Sequence, residues 1–140
     1  MKIELEPKLV FWITAVVATG FGLAFIFFPV FMYNLIGFFS DEDGYLMVRF
    51  FGLFVLGVGI LTFWARNSEL SKTREAIILM LFISYFLMTV THLLVMGIRG
   101  PPLLTNVWLW LVVILHLTFI GIYGYFLIRD WKKVRALKAA

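Results

Sequence analysis

The sequence predicts an all-α integral membrane protein, folded as an antiparallel bundle of four helices with a short interfacial segment after the first helix. Composition is the first reason, because 63% of the 140 residues are hydrophobic and only 14% are charged. A soluble domain carries roughly 25% charged residues. The second reason is that the apolar residues fall into four runs, each close to the length of about 20 residues that crosses a bilayer. No remaining stretch is long enough for a soluble domain, so we expect residues 1–140 to form one transmembrane domain.

The first half of the chain contains two of the predicted helices, at residues 9–28 and 41–65. Pro29 ends the first helix, because a proline lacks the backbone donor that a helix interior needs. The apolar residues 30–39 are too few to cross a bilayer, which favours a segment lying along its surface. Ser40 followed by Asp43 is a capping-box pattern, which starts the second helix.

The second half contains the other two predicted helices, at residues 76–97 and 106–129. A glycine and two prolines at residues 100–102 predict a tight loop between them, since these residues cannot continue a helix. Thr105 or Asn106 caps the last helix, because either side chain can accept a backbone hydrogen bond there. Aromatic side chains near the end of that helix are predicted interface anchors, namely Tyr123, Tyr125 and Trp131.

Small residues at helical spacing predict where the helices approach closely. In the first helix this stripe consists of Thr14, Ala18 and Gly22. At about 100° per residue, Gly52 and Gly59 share one face of the second helix, whereas Gly57 lies well round it. We expect the face with Gly52 and Gly59 to contact a neighbouring helix. Arg49 shares that face, so we expect it to point into the bundle.

Polar residues inside the apolar runs indicate a candidate site. An ionisable group inside a span is costly and marks a functional position by default, which singles out Arg49. The third helix carries the most polar stripe of any span, formed by Tyr85, Met88, Thr89, His92, Met96 and Arg99. Because Arg49 and His92 both belong to the outer leaflet, we predict a ligand-binding pocket there. Its predicted residues are Arg49, Tyr85, Thr89, His92 and Arg99.

Both central residues of this pocket also have a purely structural interpretation. An arginine one or two turns from the start of a helix can extend its side chain to the lipid headgroups and bind nothing else. A histidine near the membrane surface can hydrogen-bond a neighbouring backbone carbonyl and have no further role. The methionines of the stripe are interpreted as packing residues.

No cofactor and no metal site is predicted, and quinone and lipid stay open as ligands. At about 1.5 Å per residue, His116 lies roughly 18 Å from the outer end of its helix and His92 roughly 9 Å. A haem held between two histidines needs them at one level, so this difference argues against haem. No carboxylate is expected within a span, which argues against a three-ligand metal site and against proton-coupled export. The absence of cysteine excludes disulfides and thiolate ligands.

Several short stretches resemble the DoxX-like group of small four-helix membrane proteins. They are Phe27-Phe28-Pro29, Arg49-x-x-Gly52, the run LGVGIL at residues 56–61, and Trp64-Ala-Arg66. A polar loop and two further spans follow, so the resemblance covers most of the chain. It implies a four-helix membrane fold, and some members of that group are linked to quinone-reducing membrane complexes. Residues that would carry redox chemistry over to this chain are not identified in it.

These features predict a small membrane protein that binds a lipophilic or anionic ligand, or that serves as an accessory subunit of a membrane complex. A small oligomeric transporter is the alternative, which would need a second copy to build a path from so few helices. A membrane enzyme with Arg49 and His92 as its acid–base pair comes third, and an enzyme is the less favoured class. The expected partners are membrane lipid and either a second copy or a partner subunit, with no nucleic acid.

The distribution of lysine and arginine predicts the orientation. Ten of the twelve lie on one side of the predicted membrane, and the other two are Arg49 and Arg99. Because cytoplasmic loops carry the excess of these residues, we expect a multi-pass protein of the cell membrane with both termini in the cytoplasm.

This orientation is tested by labelling single introduced cysteines with an impermeant maleimide on intact cells. We expect Asp43→Cys and Pro101→Cys to react, and Ser71→Cys to react only after lysis. The chain has no native cysteine that would add background labelling. Labelling of Ser71→Cys alone on intact cells would overturn the orientation.

Overall fold

A computed structural model of the protein describes residues 6–36 and 42–139, with the side chains of residues 6–36 and 44–133. Within these residues the chain is all-α and contains no strand. Its helices are α1 Pro7–Phe27, α2 Pro29–Leu35, α3 Glu42–Ala65, α4 Lys72–Arg99, α5 Pro101–Leu104 and α6 Val107–Ala139. The predicted all-α class is therefore confirmed.

Four of these helices are long and apolar enough to cross a membrane. The candidate spans are Pro7–Phe27, Gly44–Ala65, Lys72–Arg99 and Val107–Lys133. Large hydrophobic side chains lie on their surfaces, with Val16 62%, Phe54 57% and Leu94 60% exposed. Soluble monomers rarely expose large contiguous apolar patches. The chain is therefore a small membrane protein with four helices of spanning length.

The helix boundaries differ by more than two residues from the predicted ones at two places. α4 begins at Lys72 rather than at residue 76, because the Ser71 hydroxyl accepts a hydrogen bond from the backbone N–H of Arg74 at 3.2 Å and caps the helix there. α6 continues to Ala139 rather than ending at residue 129, since Lys, Arg, Leu and Ala dominate this stretch and favour helix. The predicted capping box at Ser40 lies outside the described residues.

Two short helices occupy the predicted interfacial segment and the predicted tight loop. α2 and α5 both begin with a proline, which loses no hydrogen bond at the first position of a helix. Gly100 precedes α5 with a φ of 72°, a left-handed conformation that favours glycine. Of the two predicted caps of α6, Asn106 has this role, because its Oδ1 accepts a hydrogen bond from the backbone N–H of Leu109 at 3.1 Å.

The chain falls into two compact units, Met1–Ser68 and Glu69–Ala140. The first unit contains α1, α2 and α3, and the second contains α4, α5 and α6. In each unit the two long helices pack against each other in antiparallel orientation, as predicted. The expectation of one domain over the whole chain stays a prediction.

Glycines hold α1 and α3 at close distance. A methyl group added at Gly22 would lie 2.6 Å from the backbone nitrogen of Leu56, and one added at Gly52 would lie 2.9 Å from the carbonyl oxygen of Gly22. A methyl group at Gly59 would lie 2.8 Å from the backbone nitrogen of Thr19. Real side-chain atoms do not approach so closely, so the two backbones touch directly at these positions.

Both predicted packing faces are confirmed, with one correction. The small-residue stripe of α1 is buried and consists of Thr14, Ala18 and Gly22. On α3, Gly52 and Gly59 contact α1, whereas a methyl group added at Gly57 would meet no atom within 4 Å beyond the nearby backbone of its own helix. The expected inward direction of Arg49 is wrong, because this side chain is exposed. Val48 is buried instead. The inner face of α3 therefore continues from Gly52 to Val48, four residues earlier, and not to Arg49, three residues earlier.

Aromatic rings join α4 to α6 in the second unit. Tyr85 stacks on Phe119 with 4.9 Å between ring centroids, and on Tyr123 with 6.0 Å. Tyr123 is fully buried, so its predicted role as an interface anchor is wrong, since its position on α6 faces α4. Tyr125 and Trp131 are 49% and 53% exposed, as an anchor requires.

The glycine contacts predict a selective effect of added side chains. Gly52→Leu and Gly59→Leu are each expected to lower the free energy of unfolding by about 1–3 kcal/mol, because the new side chain forces the helices apart. Gly57→Leu is the matched control on the same helix. Thermal unfolding in a mild detergent measures the effect, and equal melting temperatures for all three variants would show that α3 does not contact α1 through this face.

Candidate ligand-binding site

Two histidines lie in contact between the long helices of the second unit. The ring centroids of His92 on α4 and His116 on α6 are 5.4 Å apart, with the rings inclined at 62°. We call these two residues the His pair. The expectation that they differ in depth is wrong, because the two rings are in contact. His92 lies seven residues before the end of α4, which is about 11 Å along the helix. His116 lies nine residues after the start of α6, which is about 14 Å along that helix.

The hydrogen bond of His92 fixes which of its nitrogens carries a proton. Its Nδ1 lies 2.6 Å from the backbone carbonyl oxygen of Met88. A carbonyl oxygen only accepts, so Nδ1 must donate and carry the hydrogen. In the neutral imidazole Nε2 then has a free lone pair and is an acceptor. The structural interpretation of His92, a bond to a backbone carbonyl, is therefore realised through one nitrogen and leaves the other available.

His116 lacks the partner that a buried polar group needs. The residue is 6% exposed, and its Nδ1 has no hydrogen-bond partner among the described residues. Apart from His92, its ring neighbour is Tyr85, at 5.5 Å between centroids. Buried polar atoms in folded proteins nearly always have a partner, and an exception is explained by local strain, by a functional role or by a bound water, ion or ligand. This nitrogen is the most informative atom of the site.

Tyr85 and Thr89, both predicted ligand residues, border the His pair on α4. The hydroxyl of Thr89 is buried and donates to the backbone carbonyl oxygen of Tyr85 at 2.8 Å. Its hydrogen is therefore used within the helix, and Thr89 can only accept a further hydrogen bond. Tyr85 is half-buried and contributes its ring to the contact with α6.

Of the two predicted arginines, Arg99 does not belong to this cluster. Arg99 is exposed in the last turn of α4, about 10 Å along the helix from His92. Arg49 is exposed on α3 in the first unit. The part of either arginine in ligand binding stays a prediction. Sequence reasoning missed His116 as a partner of His92, although its spacing of three and seven residues from Phe119 and Tyr123 places it on the same face of α6.

A buried carboxylate lies at the other end of the same helix pair. Asp130 is fully buried. Its Oδ2 accepts a hydrogen bond from Arg74 Nη2 at 2.7 Å, and its Oδ1 accepts one from Arg129 Nη2 at 3.0 Å. Arg74 stands near the start of α4, so this ion pair joins the beginning of α4 to the later part of α6.

Asp130 overturns the expectation that no carboxylate lies within a span. α6 continues past residue 129, and the candidate span reaches Lys133. The contacts of Asp130 are those of a structural ion pair, because two arginines hold the carboxylate.

Among residues 6–36 and 42–139, no group of three or more His, Cys, Asp or Glu side chains could hold a metal ion. No protein-family model, curated protein or solved structure matches the chain. The resemblance to the DoxX-like group therefore stays a prediction. The fold and the site together define a small helical membrane protein with a contacting pair of histidines.

The ion pair predicts a large effect of Asp130→Leu. We expect it to lower the free energy of unfolding by about 3 kcal/mol, because the half-buried Arg74 loses the fully buried carboxylate that it contacts. Combining it with Arg74→Leu is expected to restore part of the loss, since neither member of the pair then remains. Lys132→Leu, at an exposed position nearby, is the control. Melting temperatures in detergent measure these effects. An Asp130→Leu variant as stable as the control would contradict a structural role of the ion pair.

Proposed function

We propose that the protein is a small membrane protein that binds a lipophilic ligand at the His pair. The observation that carries the proposal is the buried, unpartnered Nδ1 of His116. A second supporting observation is the free acceptor nitrogen of His92, which follows from its bond to Met88. A polar group of a ligand that reaches both nitrogens supplies the hydrogen bonds that the protein itself does not.

The surroundings favour a ligand that is otherwise apolar. The outward faces of α4 and α6 near the His pair carry exposed aliphatic side chains, including Leu93, Leu94 and Leu117. His92 is half-buried, whereas His116 is buried behind it. A molecule dissolved in the bilayer can therefore approach His92 sideways, with its apolar part remaining among lipid chains and its polar group at the imidazoles.

The proposal includes an orientation in the cell membrane. With ten of twelve lysines and arginines on the cytoplasmic side, the turn formed by α5 faces outward and both termini lie inside. His92 is seven residues from the outer end of a helix of 28 residues. With this orientation the His pair lies in the outer leaflet. The accessory, transporter and enzyme alternatives stay predictions.

Native mass spectrometry of gently extracted protein tests this function. We expect wild type to retain a lipophilic molecule and His116→Phe to lose it. Phenylalanine suits the aromatic surroundings and removes the unpartnered nitrogen, so the melting temperature should be unchanged or higher. Thr118→Val is the matched control, because Thr118 lies two residues away, is exposed and donates only to the backbone of its own helix at 2.8 Å.

Two results would contradict ligand binding at the His pair. One is wild-type protein that carries no small molecule after gentle extraction. The other is a His116→Phe variant that folds and carries the same molecules in the same amounts as wild type. If His116→Phe does not fold, His116→Gln and His92→Leu replace it in the same measurement, with the same expected loss.

A further inference from the structure

The hydrogen-bonding pattern of the His pair restricts the polar group that it can bind. We infer that the ligand carries a hydroxyl group, as in a lipophilic alcohol or phenol, and that this hydroxyl bridges His92 and His116. The inference rests on the proposed function and specifies its ligand class.

The first step is that His92 requires a donor. Its Nδ1 hydrogen is used by the carbonyl oxygen of Met88 at 2.6 Å, so Nε2 of the neutral ring only accepts. A ligand whose polar atoms are all acceptors, such as a ketone, an ether or an ester, offers this nitrogen nothing. A ligand with an O–H group can donate to it.

The second step is that the two imidazoles do not satisfy each other. Within the described chain no hydrogen bond joins His92 to His116, although their ring centroids are 5.4 Å apart. A single hydroxyl has one donor hydrogen and two acceptor lone pairs. It can therefore donate to Nε2 of His92 and accept from an Nδ1–H of His116, which satisfies both rings with one atom.

A water molecule could also bridge the two rings, since it can donate two hydrogen bonds and accept two, whereas a lipid hydroxyl donates one. A buried water usually makes about three hydrogen bonds. The hydroxyl of Thr89, three residues before His92 on α4, has already given its hydrogen to the backbone of Tyr85. The aromatic ring of Tyr85 lies against His116 on this side. The exposed aliphatic side chains beside the His pair, Leu93 and Leu94, suit an alcohol with a hydrocarbon chain better than a water molecule.

Nitrogen NMR of histidine-labelled protein tests the inference, because the chain has only two histidines. The protein is placed in nanodiscs of a phosphatidylcholine that has no hydroxyl group. Hexadecanol and hexadecyl methyl ether are titrated separately, since they share a chain and an oxygen acceptor but only the alcohol has a donor. His116→Phe assigns the resonances and removes one side of the bridge, and Thr118→Val is again the control.

We expect hexadecanol to shift the Nε2 resonance of His92 and the Nδ1 resonance of His116. We expect the ether to bind at least about tenfold more weakly than the alcohol. His116→Phe should weaken the response of His92 to the alcohol. Equal responses to alcohol and ether, no response to either, or a proton on Nε2 of His92 in the wild-type protein would each overturn the inference. A bound carbonyl lipid that His116→Phe loses would overturn the hydroxyl inference alone and leave the proposed function standing.

Discussion

One constraint governs the polar residues of this chain: a polar group among apolar side chains in a membrane needs a partner, because no water is available to it. Most polar groups of the spans find that partner within their own helix. The hydroxyls of Thr62, Thr89 and Thr118 all donate to backbone carbonyl oxygens three or four residues earlier. Asp130 meets the constraint through two arginines. The fold uses these donors and charges, so they are not available to a ligand.

The His pair differs from these groups because it is satisfied only in part. One nitrogen of His92 is bonded to the backbone, which fixes the ring and defines the other nitrogen as an acceptor. Nδ1 of His116 is buried and has no partner among the described residues. The threonines and Asp130 thus meet this constraint within the fold, and the His pair meets it only in part. The first unit of the chain is built differently, since α1 and α3 meet through Gly22, Gly52 and Gly59, which need space and no polar partner.

The sequence was sufficient to predict the four long helices and the glycine contacts. Both follow from the helical period of 3.6 residues and from the thickness of a bilayer. It failed where a result depended on several helices at once. The inner face of α3 continues from Gly52 either to Arg49, three residues earlier, or to Val48, four residues earlier. Only the packing of α3 in the folded protein decides between them. The meeting of His92 with His116 required the relative level of α4 and α6. Asp130 was missed because α6 continues beyond the point where its apolar run ends.

The central claim is that the buried face of His116 belongs to a ligand and not to the fold. A high-resolution cryo-EM structure of the protein in native lipid, with a fiducial partner to give it size, tests this most directly. The account predicts density for a non-protein molecule within hydrogen-bond distance of both imidazoles, with an elongated apolar part that extends toward the lipid. A map in which Nδ1 of His116 is hydrogen-bonded to a protein group, with only side chains around the pair, would contradict it.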